Sequence, residues 1–247
     1  MQPLVNAVSL SVVVPVRNEE ENVVPLIAEI DAALAGRLDY EIIYVDDGSA
    51  DGTAGALARA RERYPRLRVL THATSCGQSA ALRTGVLAAR GDWIATLDGD
   101  CQNDPADLPR LLAVRDDPAR PRSLQLVAGH RRKRQDSWLK RLSSRIANGV
   151  RAKLLGDGTP DTGCGLKLIS RDAYLALPFF DHMHRFLPAL VQRNGGTTVS
   201  VEVNHRPRVR GRSNYGVHNR LWVGLVDLAG VMWLKRRMKR PEVTEAR

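Results

Sequence analysis

The chain has 247 residues, 43% of them hydrophobic, and three cysteines. That is ample for one large domain with a conventional core, and it excludes collagen-like, disulfide-framed and wholly disordered chains. Lys and Arg number 37 against 27 Asp and Glu, a formal charge of +10, so an anionic partner is expected: nucleic acid, a phosphorylated substrate or a lipid surface.

The apolar run Leu10–Val14 has no basic region before it and no small-residue cleavage site after it, and it reads as a first strand rather than a signal peptide. From residue 10 to 115, short β-rich runs alternate with helical patterns, the signature of a mostly parallel sheet covered by helices on both faces. Leu10–Val16 suits a buried parallel strand. Asn18 offers an N-cap ahead of Glu19, Glu20 and Glu21, and Val23, Leu26, Ile27, Ile30 and Leu34 form one apolar helix face that ends at Gly36. Strands follow at Glu41–Val45, Leu67–Leu70 and Trp93–Leu97, with helices to about Tyr64, over Gln78–Ala89 and from Pro105 to about Arg115. The second half is less regular: a strand at Leu124–Gly129, a basic helix over 137–155 and a late strand at Thr197–Val203. The apolar segment Leu221–Leu234 is flanked by Arg220 and the cluster Lys235, Arg236, Arg237, Lys239 and Arg240. As a helix it spans ~21 Å at ~1.5 Å per residue, short of a hydrocarbon core of ~30 Å, and Asp227 sits near its middle. It reads as an interfacial helix with Trp222 and Trp233 at headgroup depth, as a docking helix for a membrane partner, or as a helix packed on the domain. One domain, 1–216, followed by a C-terminal appendage, 217–247, is the expected organisation.

The positive charge is localised. Segments 128–153 and 206–240 together hold nineteen Lys and Arg against Asp136 and Asp227, leaving the remainder of the chain net acidic. Cys76, Cys101 and Cys164 form no CxxC pair, which disfavours a disulfide framework or zinc ribbon and suits a reducing cytosol. Asp98-Gly99-Asp100 follows a strand end, where ligands of open α/β sheets bind. Two carboxylates one residue apart there either shape a turn or hold a divalent cation with oxygen ligands. Asp46-Asp47-Gly48-Ser49 with Asp51 follows another buried strand and carries the same two readings. A cation beside arginines makes a site for a phosphorylated ligand. No GxxxxGK[ST], GxGxxG after a strand, HExxH or GxSxG is present, which disfavours P-loop, dinucleotide and hydrolase-triad chemistry.

The blocks PVRNEEEN at 15–22, YVDDGSADGT at 44–53, CGQSAALRTGVLAARGDWIATLDGDCQNDP at 76–105, GHR at 129–131, DTGCGLKLISRDA at 161–173 and HRPRVRGRSNYG at 205–216 resemble the inverting glycosyltransferases of family 2. Within that family they are most similar to the polyprenyl-phosphate glycosyltransferases. The resemblance implies a GT-A fold, a Rossmann-like sheet with the metal motif at a central strand end. It implies that Pro15, Arg17 and Glu19, with Asp46 or Asp47, line the nucleotide pocket. Asp98, Asp100 and Gln102 match the family's DxDxQ around Mg²⁺ or Mn²⁺ and the diphosphate, with Cys101 a packing residue. Arg131, Arg208 and Ser213 are implied to meet phosphates, Lys140 and Ser144 to lie near the acceptor phosphate, and Asp161 with Gly163, Cys164 and Gly165 to form the acceptor-side loop. The implied reaction moves a sugar from a nucleoside-diphosphate sugar to a polyprenyl phosphate, on the cytoplasmic face of a membrane to which the protein is peripherally attached, directly or through a small membrane protein.

The residue inventory agrees. A lipid monophosphate is already anionic at neutral pH and needs positioning cations more than a general base, and the chain offers many Arg and Lys and no evident His or Glu base. A sugar-hydroxyl acceptor would need a catalytic carboxylate, for which Asp161 is the candidate. A basic nucleic-acid-binding protein is the reading from another class. Three Phe and five Tyr, with no RNP, KH or zinc-finger pattern, do not supply its stacking platforms.

Overall fold

The computed structural model describes residues 8–131, 149, 151, 154–207, 219–239, 241 and 244. It contains a seven-stranded sheet in the order β3-β2-β1-β4-β6-β5-β7, built from β1 (Leu10–Val16), β2 (Tyr40–Asp46), β3 (Leu67–Thr71), β4 (Trp93–Thr96), β5 (Leu124–Arg131), β6 (Lys167–Ser170) and β7 (Thr197–Val203). All neighbours run parallel except β6, which is antiparallel to both β4 and β5.

Alternation along the strands divides the core into two layers. Val12, Val14, Ile42 and Tyr44 pack toward α1 (Glu20–Leu34), α2 (Thr53–Arg63) and α4 (Leu108–Asp116). Val13, Ile43 and Val45 pack toward α3 (Gln78–Ala88), α5 (Arg171–Leu175), α6 (Leu187–Arg193) and Val231 of α7 (Asn219–Arg237). The continuous apolar runs of β1 and β2 are thus those of strands buried on both faces, and the expected α/β architecture is present.

Helix α1 shows which force decides. Pro25 lies inside it, and an interior proline costs ~3 kcal/mol. Leu26, Ile27, Ile30 and Leu34 are completely buried on its inner face, each stabilising by about 1.5–3 kcal/mol, so packing prevails. Its start differs from the sequence expectation. Glu19, not Asn18, is the N-cap; Asn18 adopts a left-handed φ of 55°. The Asn18 amide donates to Ser49 Oγ while its side-chain oxygen accepts from the Ala50 N–H, so it ties the β1 loop to the β2 loop.

β6, α5 and α6 occupy the half that sequence periodicity left irregular. The reversal of β6 positions the site: antiparallel to β4, it begins where β4 ends, and its first residue Lys167 lies opposite Thr96. The loop leading into β6 therefore arrives beside Asp98.

Helix α7 packs on the domain through polar as well as apolar contacts. Asp227 faces inward, 3.1 Å from His182 Nδ1. Arg193 Nε donates to the Leu234 carbonyl at 3.0 Å, and Lys235 Nζ to the Leu155 carbonyl. Leu225, Val226 and Trp233 stay exposed on the outer face, and Arg237 lies 6.0 Å above the Trp233 ring. Among the described residues no helix is long and apolar enough to cross a membrane.

Candidate active site

The expected pocket residues collect at the carboxyl ends of β1, β2 and β4. Val16 and Asp46 are partners in the β1–β2 register. Gly99 rests on the end of β1, where an added Cβ would lie 3.1 Å from the Pro15 carbonyl and would collide with Val16. Glu19 is buried, receives the Asn22 side-chain amide at 2.6 Å and donates its own N–H to Thr53 Oγ1, whereas Arg17 is exposed.

The two carboxylates ending β2 are used differently. Asp46 turns inward and accepts from the Ser49 N–H and hydroxyl, closing its own loop. Asp47 faces the turn that opens α3 and accepts from Ser75 Oγ, the Cys76 N–H and the Gly77 N–H at 2.7–2.9 Å, with His72 Nδ1 at 2.7 Å. Burial acts to raise its pKa, but these hydrogen bonds win and hold it below the ordinary carboxylate value. Asp51, just ahead of the Gly52 N-cap of α2, accepts from the Thr53 N–H and hydroxyl.

Asp98 is the centre of the site. Its backbone N–H donates to the Asn103 side chain at 3.2 Å, and its Oδ1 accepts from Gln78 Nε2 at 2.8 Å. Gly165 approaches so closely that a Cβ would run into the Asp98 carboxylate, so the 161–165 loop packs directly on the motif. Withdrawal from water, then the neighbouring Asp100 carboxylate, raise the Asp98 pKa, opposed by Lys167, Arg131 and Gln78. Asp100 Oδ1 accepts from the Gln102 N–H, and the Gln102 carbonyl accepts from the Arg206 N–H. Arg206 is clamped between Glu29 and Asp104 at 2.6 Å each, so the chain that continues toward Arg208 departs from beside Gln102.

Residues 98, 100 and 102 offer hard oxygen donors. Two like charges crowd one half-buried place, the situation a small divalent cation relieves, so the donor set fits Mg²⁺ or Mn²⁺.

Arg131 reaches this cluster, but its guanidinium grips Asp161 through two bonds, Nε–Oδ2 at 2.7 Å and Nη2–Oδ1 at 2.9 Å, with both side chains largely buried. Burial opposes its charge, yet Asp161 holds its pKa above the ordinary arginine value. Arg131, expected to meet a phosphate, is thus paired with the 161–165 loop through Asp161. Cys101, with a left-handed φ of 59°, packs against α1 with Sγ near the Asn22 carbonyl, and burial raises its thiol pKa to about 11. Cys164 is buried and accepts a long contact from Asn103. Lys140, Ser144, Arg208 and Ser213, and the Trp222 side chain, lie outside the described residues.

Three members of the site lie inside the quoted blocks but were given no role there: Gln78, Asn103 and Lys167. Lys167 is buried with Nζ donating to the Cys164 carbonyl; burial lowers its pKa while Cys164, Asp98 and Asp161 support its charge. Its signal in sequence was a lone Lys within the apolar run LKLI.

A sheet of this order with an acidic pair at the end of its central strand defines a GT-A glycosyltransferase fold. The family described as Glycosyl transferase family 2 matches residues 11–177, and the chain belongs to it. Dodecaprenyl-phosphate galacturonate synthase of Rhizobium johnstonii is 36% identical over 248 residues, spanning 96% of this chain and 70% of that protein. Undecaprenyl-phosphate 4-deoxy-4-formamido-L-arabinose transferase of Aeromonas hydrophila is 35% identical over 84% of this chain, which spans 63% of that relative's length. Glucosyl-3-phosphoglycerate synthase of Mycobacterium tuberculosis, crystallised with Mn²⁺, UDP-glucose and glycerol 3-phosphate, matches with a TM-score of 0.68 at 21% identity over 92% of this chain and 79% of that one, a likeness of fold.

Proposed function

We propose that this glycosyltransferase moves a sugar from a nucleoside-diphosphate sugar to a polyprenyl phosphate, with inversion at the anomeric carbon. The observation that carries the reading is the Arg131–Asp161 pair. Asp161 is the carboxylate a hydroxyl acceptor would need as general base, and one bound bidentately by a guanidinium is a poor base. A phosphate acceptor needs none. The relatives named for dodecaprenyl- and undecaprenyl-phosphate products support the same acceptor class.

In this reading Pro15, Arg17, Glu19 and Asp47 line the nucleotide pocket, with Asp46 shaping its loop. Asp98, Asp100 and Gln102 would hold Mg²⁺ or Mn²⁺, which when bound would supply Lewis-acid stabilisation of negative charge on the diphosphate. Arg208 and Ser213 meet the diphosphate; Lys140 and Ser144 orient the acceptor, and Arg131 fixes the loop beneath it. A phosphate oxygen of the lipid attacks the anomeric carbon in line as the bond to the diphosphate oxygen breaks, the electron pair leaving with the nucleoside diphosphate. No proton transfer is required. Unit 1–216 carries the reaction, and 217–247 attaches it peripherally to the cytoplasmic face of a membrane, the exposed Leu225, Val226 and Trp233 beside the basic end of α7 supporting that attachment.

The test is nucleoside-diphosphate release from a panel of UDP-, GDP- and other nucleotide sugars with Mg²⁺ or Mn²⁺, with and without polyprenyl phosphate in detergent. Release that requires both one donor and the lipid is expected. Release that proceeds equally with a sugar-hydroxyl acceptor and without the lipid overturns the acceptor assignment.

A further inference from the structure

A second group of metal-ligating side chains lies apart from the Asp98–Asp100 pair. Asp47 and His72 are the residues that follow the paired strands β2 and β3, whose last partners are Asp46 and Thr71. Cys76 comes four residues later, in the turn that opens α3. A carboxylate oxygen of Asp47, a ring nitrogen of His72 and the Cys76 sulfur all lie within 4.8 Å of one another. From the structure we infer that these three residues form a site for a borderline-soft divalent cation of the Zn²⁺ class, distinct from the oxygen-lined pair at Asp98.

The donor chemistry separates the two places. One carboxylate, one imidazole and one thiolate make the mixed set that Zn²⁺ and Co²⁺ accept, whereas Mg²⁺ and Mn²⁺ prefer oxygen alone. Zinc bond lengths of ~2.0–2.3 Å place tetrahedral ligands about 3.3–3.8 Å apart. Reaching that spacing needs only a small opening of the 2.7 Å Nδ1–Oδ1 contact and a swing of Cys76, which is exposed.

The surroundings hold the ligands in place. His72 Nε2 lies 2.9 Å from Thr84 Oγ1, and a hydroxyl both donates and accepts. Without the ion, the Asp47 carboxylate accepts from Nδ1–H, and the Thr84 hydroxyl can serve Nε2 in either role. With it, the imidazole proton resides on Nε2, which donates a hydrogen bond to Thr84 Oγ1, and the Nδ1 lone pair is free for the metal, the outer-shell hydrogen bond that histidine ligands use. Asp47 is oriented independently of His72, by Ser75 and by the backbone N–H groups of Cys76 and Gly77. Binding releases one proton, from the Cys76 thiol to solvent. The fourth position opens toward water, as in zinc sites with three protein ligands.

Occupation fixes the turn 75–77, from which Gln78 reaches Asp98, and it engages Asp47. On the reading that Asp47 lines the nucleotide pocket, the ion is an inhibitor competitive with the donor.

The experiment titrates the reduced full chain with Co²⁺ in excess Mg²⁺. A thiolate-to-cobalt charge-transfer band is expected in the near ultraviolet, bleached by one equivalent of Zn²⁺ and absent from Cys76→Ser, whose Zn²⁺ affinity falls at least ~10-fold. Absence of the band from the wild type, or unchanged Zn²⁺ affinity in Cys76→Ser, overturns the site. Adding UDP or GDP to the cobalt-loaded protein then tests the competition. Bleaching supports inhibition at the pocket; a band that persists beside bound nucleotide retains the cation site and rejects the placement of Asp47 in the nucleotide pocket.

Discussion

Asp47 and Asp98 are carboxylates at the ends of neighbouring parts of one sheet, and their surroundings move them in opposite directions. Hydrogen bonds hold Asp47 ionised, so its contribution to stability is complete above the ordinary value of 3.8 and is lost as pH falls through its lower folded value. Asp47→Asn should therefore cost about 1–3 kcal/mol at pH 7, and the difference from wild type should shrink below about pH 4, as measured by urea unfolding across pH. Asp98 instead suffers burial and the charge of Asp100. Asp100→Asn removes that repulsion while its side-chain oxygen can still accept from Gln102, so the melting temperature should not fall, whereas turnover should drop at least ~100-fold. Full activity in that variant would remove Asp100 from the metal site. These acidic pairs were legible in sequence because each follows an apolar run that must be a strand. The roles of Gln78, Asn103 and Lys167 were not, because each depends on how the fold sets it against Asp98: Gln78 and Asn103 by side-chain hydrogen bonds and Lys167 by its buried charge.

At the scale of the element, the loop between 156 and 166 is held by a lock and by a close fit. Asp161→Ala leaves the buried Arg131 guanidinium without its bidentate partner and should destabilise by about 3 kcal/mol, with Arg131→Met in the same chain restoring much of the loss. A catalytic base would behave otherwise, with activity lost and thermal stability kept. Gly165→Ala drives a methyl into the Asp98 carboxylate, and both metal-dependent turnover and melting temperature should fall. Helices α1 and α3 and strands β1 and β2 were readable because apolar periodicity is a local property. β6 has four residues, one of them a lysine, and exists only through pairing with β4 and β5, while α5 and α6 are five and seven residues long, too short for a helical period to stand out.

Across the whole molecule, charge and apolar surface meet at α7. Its outer residues Leu225, Val226 and Trp233 are 48%, 70% and 58% exposed, and Lys235, Arg236 and Arg237 occupy its last turn. Replacing Val226 and Trp233 together by Glu should abolish flotation with anionic liposomes while leaving nucleoside-diphosphate binding unchanged; flotation that survives would move attachment elsewhere. The apolar run and basic tail were visible in sequence, where Asp227 near the middle counted only against a membrane span. In the fold it is the inward anchor to His182, since a carboxylate is tolerated on a helix face that supplies it a partner. That anchor, with those at Leu234 and Lys235, fastens α7 to the domain as a keel rather than a tether. Seated on a bilayer, such a keel would fix the tilt and azimuth of the catalytic mouth, and the search for acceptor would become a two-dimensional walk by a molecule already facing the right way.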